Sequence, residues 1–265
     1  MLRVFVLLAC FLTVFSAPAE TVPPALNIVV GVENHDYFPH YGMKSENQFH
    51  GLAREILDAF AVWKGIQLTY KPLPVERLFH ELVAGDVDLK YPDHPAWGLA
   101  VKGKAEIAYS LPVAEFIDGV LLRPRDKPRQ VEDIKQLATI LGFTLPSFWQ
   151  TRVDSGAVKR IGVKHFDSLL LMALIGERVD GIYANVDVGL YRLQQIKTGK
   201  SEIPIPSRLQ ESDTLVFAPE LPHDRSYYHL SSRAHPELIK EFDRFLVEQA
   251  AEVAALKHKY LQRSE

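Results

Sequence analysis

A short pattern occurs twice in this chain, at residues 82–91 (LVAGDVDLKY) and again at 174–183 (LIGERVDGIY). In each copy an apolar run ends at a glycine, and a Val-Asp pair then leads into a short stretch that ends on tyrosine. Glycine after the last apolar position is a helix stop, and the stretch after it is typical of a strand buried in a parallel sheet. Because ligands of open α/β sheets bind beyond the carboxyl ends of the strands, the pattern predicts two α/β lobes that face one cleft. The glycine stands one residue further from Val-Asp in the second copy, so coincidence between two common helix–strand junctions is the alternative.

The apolar periodicity around these copies predicts the remaining elements. Before residue 92 it predicts a β-α-β-α-β unit, whose short connections favour a parallel, right-handed sheet; its strands cover 26–32, 66–70 and 87–91, and its helices cover 51–64 and 74–82. Strands over 105–110 and 119–123 then leave this unit. The second unit is predicted to have helices over 131–137, 167–175 and 186–196 and strands over 139–144 and 179–183. Strands over 215–219 and 227–231 return to the first unit, and a helical tail covers 236–261.

The first nineteen residues have the composition of a cleavable secretory signal. A short positive start is followed by an apolar run, and small residues then stand in an Ala-x-Ala arrangement before Glu20. The apolar run is too short to span a bilayer. Cys10, the single cysteine of the chain, lies inside this run. It only loosely matches a lipoprotein acceptor, so we expect a soluble, disulfide-free mature protein in the periplasm.

The net charge of −3 and the hydrophobic content of 47% are those of a soluble globular protein. No basic stretch indicates nucleic-acid binding.

Motifs along the mature sequence resemble the family 3 extracytoplasmic solute-binding proteins of ABC importers. They are 28–32 (IVVGV), 37–39 (YFP), 49–52 (FHGL), the Gly65 turn, 85–88 (GDVD), 109–112 (YSLP), 179–181 (VDG) and 259–261 (KYL). The resemblance implies an α/β, two-lobed type II periplasmic-binding-protein fold with a hinge and an inter-lobe cleft. It also implies that residues 20–122 and 215–265 form lobe 1 and residues 123–214 form lobe 2. The resemblance further implies that the protein is a monomer, that it closes around a small solute and that it delivers this solute to a membrane ABC permease or a sensor.

The sequence departs from the amino-acid binders of that family at the two positions that usually hold the ligand. They place an arginine after the third strand for the carboxylate, where this sequence has Lys90, and an aspartate after the second-lobe strand, where it has Asn185. A lysine does not reproduce the bidentate guanidinium. Arg77, in a Pro-x-x-Arg helix start similar to that of divergent members, is the substitute candidate; a surface ion pair with Glu76, Glu81 or Asp86 is its alternative.

From the resemblance, Arg77 and Lys90 are expected to hold a negative group of a polar or anionic solute. Ser147 and Asn185 are expected to add neutral hydrogen bonds from the other lobe. Aromatic residues are expected to supply the walls: Tyr37, Phe38, Tyr91 and Tyr109, with Phe49 and Trp97 as further candidates. Trp149 stands where the family usually has a small anion-binding loop, and packing inside lobe 2 is its alternative.

No metal, cofactor or catalytic residue is predicted. His35, Asp36, His40 and His50 lie close in sequence, but their spacing on a proline-containing loop fixes no ligand geometry. Hydrolase and P-loop signatures are missing from the sequence. Paired carboxylates are found by geometry and not by sequence, so a periplasmic dehydratase or lyase of the same fold is the alternative function. A sensor-type binding protein is a further alternative.

Overall fold

The computed structural model describes residues 26–45, 48–126, 130–141, 143, 145–175, 179–201, 203–207, 209–210 and 213–261. The predicted signal sequence, including Cys10, lies outside the described residues. Among the described residues, no helix combines the length and the apolar character that crossing a bilayer requires.

Twelve strands and eight helices make up the described part of the chain. The strands are β1 (Asn27–Glu33), β2 (Gly42–Met43), β3 (Phe49–His50), β4 (Gln67–Leu73), β5 (Leu89–Asp93), β6 (Ala108–Tyr109), β7 (Ala114–Leu122), β8 (Gln136–Ile140), β9 (Lys159–Val163), β10 (Gly181–Asn185), β11 (Val216–Phe217) and β12 (Asp224–Ser232). The helices are α1 (Leu52–Lys64), α2 (Val75–Ala84), α3 (Leu99–Lys102), α4 (Ser147–Asp154), α5 (Phe166–Ile175), α6 (Val186–Lys197), α7 (Pro236–Glu248) and α8 (Ala250–Tyr260).

The first lobe follows the sequence closely. β1 lies between β4 and β5 and is parallel to both. Gly65 and Gly85 end α1 and α2 with φ angles of 72° and 84°, a backbone conformation that glycine adopts without steric cost. Apolar faces of α1, α7 and β1 meet in one buried core, which includes Phe60, Phe242 and Phe245.

The second lobe has a parallel trio in which β8 lies between β10 and β9, and β7 adds to β10 in antiparallel orientation. α5 and α6 form as predicted, but the helix predicted over 131–137 is wrong. Only a 3₁₀ turn, Val131–Asp133, forms there, and β8 begins at Gln136. Leu137 and Ala138 are fully buried in the sheet. Short apolar runs of this kind fit a buried strand and a buried helix equally well by periodicity. α4 and β9 were not predicted.

Two long strands, β7 and β12, pass from one lobe to the other. The first half of β12 pairs with β7, and its second half pairs with β5 and β6, so one hydrogen-bonded ladder runs through both lobes. Along β7, Phe116 packs in the core of the first lobe and Ile117 in that of the second. The chain therefore has the two-lobed α/β architecture that the sequence predicts.

The predicted lobe boundaries at residues 122 and 215 remain predictions. Leu215 packs in the second-lobe core, and β11 pairs with β7. We propose on this packing that the crossings lie inside β7, near residue 116, and inside β12, near residue 228.

Candidate functional site

A cavity of about 290 Å³ lies between the two lobes, beside the crossing strands. We call it the central cavity. It is lined by Glu33, His35, Tyr37, Tyr41, Trp97, Phe116, Asp118, Phe143 and Tyr228.

Three parts of the fold bring these residues together. Glu33 is the last residue of β1, at the carboxyl end of the parallel sheet, and Tyr37 and Tyr41 follow in the loop after it. Trp97 and Phe143 stand in the loops after β5 and β8. The crossing strands supply the remaining wall from both lobes, which is where an α/β fold of this kind binds ligands.

Six aromatic side chains, Tyr37, Tyr41, Trp97, Phe116, Phe143 and Tyr228, form what we call the aromatic wall. Tyr228 and Phe116 stack with their ring centroids 4.7 Å apart. Trp97 contacts both rings, at 5.8 Å from Phe116 and 6.0 Å from Tyr228. Tyr37 stacks on Tyr41 at 5.5 Å. These ring-to-ring contacts hold the wall in a fixed shape and present π-faces to the space between them.

Glu33 brings a buried carboxyl group to the cavity from the first lobe. Its Oε2 accepts a hydrogen bond of 2.8 Å from the Tyr41 hydroxyl. Burial raises the pKa of Glu33, while the charge of Lys90 and the Tyr41 hydrogen bond oppose that rise. The first lobe thus holds this carboxyl in a poorly hydrated site where a cationic partner would favour its charged form.

Asp118 brings a second carboxyl group from β7. Its Oδ1 accepts a hydrogen bond of 3.1 Å from the Asn185 amide. Burial raises the pKa of Asp118 to about 7, and the charges of Asp224 and Asp187 add to this effect while the Asn185 hydrogen bond opposes it. A carboxyl group in this condition exchanges a proton near neutral pH.

Side chains of the loop after β1 reach across to α6 of the second lobe. His40 Nε2 and Asp187 Oδ2 are 3.1 Å apart, and both side chains are buried. Near the surface, Arg192 pairs with Asp36 at 3.3 Å. The Phe38 ring lies 4.4 Å from that of Tyr191. The lobes are therefore in contact in this structure, and the open cavity lies between them.

Of the eight residues predicted to bind the solute, the structure places Tyr37 in the wall of the central cavity. Asn185 is fully buried beneath the cavity, where it caps α6 by accepting a hydrogen bond from Val188 N and contacts Asp118. Tyr91 is also buried and packs behind Tyr228, at 6.3 Å between ring centroids.

Lys90 lies on the opposite face of β5 from Tyr91, fully buried in the first lobe. Its ammonium donates to the Pro92 carbonyl, lies 3.6 Å from Asp93 Oδ1 and stands 4.4 Å above the Phe79 ring. Burial lowers its pKa, while Asp93 and Glu33 oppose the effect. The side chain is thus occupied inside the protein, and we leave Lys90 out of the candidate site.

The other predicted residues, Phe38, Arg77, Ser147 and Tyr109, are not among those that line the central cavity. The Arg77 side chain is 66% exposed and pairs with Glu81 at 3.0 Å, as in the alternative reading of that residue. Ser147 is exposed at the start of α4, and the half-buried Tyr109 has its ring 5.1 Å from the Lys102 ammonium.

The three further aromatic candidates are divided between core and wall. Phe49 is buried in the first-lobe core. Trp149 is buried in the second lobe, where its indole N–H donates to the Pro222 carbonyl at 2.9 Å. Trp97 belongs to the aromatic wall.

Sequence reasoning missed both carboxyl groups. Glu33 ends the apolar strand β1, and Asp118 interrupts the apolar residues 116–122 of β7. An acidic side chain is costly to bury, so an acid within or at the end of an apolar strand was the sequence feature that could have indicated a functional residue. The wall residues Tyr41, Phe116 and Tyr228 carried no comparable signal, because aromatic residues in strands and loops are more often packing residues.

The histidines of the loop after β1 are in different environments. His40 is buried, whereas His35 is exposed at the cavity mouth. Within the described part of the chain, no three His, Cys, Asp or Glu side chains are grouped closely enough to hold a metal ion.

No protein-family model matches this sequence, and no curated protein sequence is significantly similar to it. Solved structures, in contrast, show clear likeness at low sequence identity. Substrate-binding domain 2 of GlnP from Lactococcus lactis has 14% identity and a TM-score of 0.64, with 92% of this chain and 99% of that chain covered.

Two further structures extend the comparison. A histidine kinase sensor domain with similarity to periplasmic binding proteins has 17% identity and a TM-score of 0.62, over 89% of this chain and 96% of that one. The ancestral amino-acid-binding protein AncCDT-1, a precursor of cyclohexadienyl dehydratase, has 16% identity and a TM-score of 0.59, over 89% and 95%. The chain thus has the two-lobed type II periplasmic-binding-protein fold, which the sequence motifs predicted.

Proposed function

We propose that this chain is a divergent family 3 solute-binding receptor, exported to the periplasm by its first nineteen residues. The observation that carries the proposal is the central cavity, whose wall draws side chains from both lobes. A small solute held there contacts both lobes at once, so its binding energy favours the closed arrangement. The likeness to solute-binding domains supports the same conclusion.

The described contacts between the loop after β1 and α6 are side-chain contacts that can separate and re-form, which suits a reversible closure. One buried pair, His40 with Asp187, and the Phe38–Tyr191 ring contact lie on one side of the cavity. Their separation on opening returns both side chains of the pair to water, whereas in this structure His40 Nδ1 is buried and has no hydrogen-bond partner among the described residues. A solute that binds the closed form more tightly than the open form then raises the population of the closed form.

A membrane ABC permease is the proposed partner, and a sensor kinase is the alternative. The structural neighbours include a substrate-binding domain and a histidine kinase sensor domain. Co-purification of the protein from detergent-solubilised membranes, with the solute present and absent, distinguishes the two partners. Mass spectrometry of the bound protein identifies a permease or a kinase directly. Mass spectrometry of the same sample also identifies the N-terminal residue of the mature protein, which we expect to be Glu20.

Catalysis of an elimination is the second candidate function, and Asp118 is the observation that favours it. A carboxyl group with a pKa raised to about 7 holds its proton near neutral pH and is suited to general acid–base catalysis. The similarity to a dehydratase precursor points in the same direction. If this candidate is correct, a bound hydroxy acid is converted to product, and Asp118→Asn stops conversion.

The receptor proposal is tested by native mass spectrometry of protein released gently from its compartment, followed by small-angle scattering with and without the molecule found. We expect one small solute per chain, recovered unchanged, and a more compact protein when it is present. Phe116→Ala opens the aromatic wall and should weaken binding, whereas the surface variant Arg77→Ala serves as the matched control. A protein that carries no solute and shows no thermal shift with any solute class would refute the proposal.

A further inference from the structure

The chemistry of the central cavity indicates which class of solute it accepts. We propose that the ligand is a small organic cation, an amine or quaternary ammonium compound without a carboxylate, held between Glu33, Asp118 and the aromatic wall. This inference rests on the proposed receptor function and adds the substrate class.

The first argument is the balance of charge in the lining. The nine described lining residues include two acids and no lysine or arginine. His35 is the one lining side chain in this described set that can gain a positive charge, and it lies exposed at the mouth. A ligand carboxylate would therefore enter a cavity with two carboxyl groups and no fixed cation, where like-charge contact is unfavourable.

The second argument is the position of the cations that could have served a carboxylate. Lys90 does not line the cavity, although its charge acts on Glu33, and its ammonium group is engaged by Asp93 and the Phe79 ring. Arg77 pairs with Glu81 on the surface. Arginine forks are the side chains suited to bidentate carboxylate recognition. With both candidates engaged elsewhere, the nine lining residues offer an amino acid acidic partners for its ammonium group and no lysine or arginine for its carboxylate.

The third argument is the aromatic wall. Stacked and edge-on rings enclose the space between the carboxyl groups, and Tyr228 and Phe116 are almost completely buried. The π-face of such rings attracts an ammonium group, most strongly when water is excluded. An aromatic enclosure with carboxylates fits a cation, because rings contribute attraction as well as apolar surface.

The two carboxyl groups come from different lobes, which couples recognition to closure. Glu33 ends β1 in the first-lobe sheet, whereas Asp118 is fixed to the second-lobe strand β10 through Asn185. A cation between them gains both carboxylates only in the closed arrangement. The cavity volume of about 290 Å³ limits the ligand to a small molecule, at the lower end of ligand pockets.

The test compares solutes that differ in charge but share a shape. Isothermal titration of the full mature chain uses phenethylamine against phenylalanine and 2-phenylethanol, and choline against 3,3-dimethylbutan-1-ol. We expect binding of at least one of the two cations, with affinity about tenfold or more above its neutral and zwitterionic counterparts. Asp118→Asn and Glu33→Gln should each weaken that binding by about tenfold to a hundredfold, and the exposed Asp154→Asn is the matched control.

The outcomes separate this inference from the receptor proposal. If phenylalanine or another carboxylate-bearing solute binds and the cations do not, the inference is overturned while the receptor function stands. The same holds if cation binding persists unchanged in both acid variants. If neither the probes nor the solute found by mass spectrometry binds, both proposals fail together.

Discussion

Replacement of Asp118 by asparagine should stabilise the unliganded protein at neutral and alkaline pH. Asparagine keeps the side-chain volume and can still accept the hydrogen bond that Asn185 donates to Oδ1. It removes a carboxyl group whose charged form is disfavoured first by burial and then by the charges of Asp224 and Asp187. The substitution therefore deletes an unfavourable charge and retains the packing, which is the condition under which a change in a binding site raises stability.

The magnitude follows from proton linkage. An ordinary aspartate has a pKa of 3.8, and that of Asp118 in the folded protein is about 7. Between these values the folded protein holds a proton that the unfolded chain has released, so stability falls as the pH rises through this range. Above pH 7 the penalty is complete. At about 1.36 kcal/mol per pKa unit it approaches about 4 kcal/mol, an upper limit because the half-buried carboxyl retains some water.

The assay is urea unfolding of the wild type, Asp118→Asn and the control Asp154→Asn at pH 4, 6 and 8. The stability gained by Asp118→Asn should be near zero at pH 4 and should grow to about 2–4 kcal/mol at pH 8. A thermal midpoint raised by about 2–4 °C per kcal/mol should accompany it. A gain in stability that does not vary with pH, or a loss of stability at pH 8, would contradict the raised pKa of the Asp118 carboxyl group.

Three further predictions concern the same structure. Cation affinity should fall about tenfold per pH unit as the pH drops below 7, because Asp118 must release its proton before the cation binds. Calorimetric titration in two buffers of different ionisation enthalpy should detect the released proton. An affinity that stays constant from pH 5 to 8 would contradict this prediction. Arg77→Ala should leave solute binding unchanged and alter the free energy of unfolding by at most about 0.5 kcal/mol, since an exposed ion pair within a helix contributes little. A loss of solute binding would show that Arg77 belongs to the binding site. Asp93→Asn should destabilise the protein by about 3–5 kcal/mol in urea unfolding, because it leaves the buried Lys90 and Lys102 side chains without their shared carboxylate. Unchanged stability would contradict this role of Asp93.

The fold could be predicted because its signals are local. Helix α1 shows an apolar face and ends at Gly65, and α2 repeats that arrangement with Gly85. The region after residue 130 was harder, because β8 is a short apolar run and α4 has no clear apolar face to mark it in the sequence. In that region the neighbouring strands β9 and β10 decide the structure, and they are distant in sequence.

The candidate site depended on contacts that no local pattern records. Lys90 and Tyr91 are neighbours in sequence, but alternation along β5 sends them to opposite faces, and only the packing of α2 against the sheet shows where the lysine is directed. Asp118 lies opposite both Asn185 and Asp224 in the ladder. Its place in the cavity is a consequence of a crossing strand shared by the two lobes, which periodicity alone cannot locate.

The acid pair also explains why an empty receptor of this design would resist closing. Closure brings Glu33 and Asp118 to one small cavity, where burial disfavours the charge of Asp118, and also that of Glu33 to an extent that Lys90 and the Tyr41 hydrogen bond only partly offset. A bound ammonium group removes that penalty from both at once, in addition to its own contacts with the rings. Relief of this cost then adds to the free energy that favours closure. A neutral solute of equal size fills the cavity without relieving it, so the acid pair makes closure itself, and not binding alone, selective for charge.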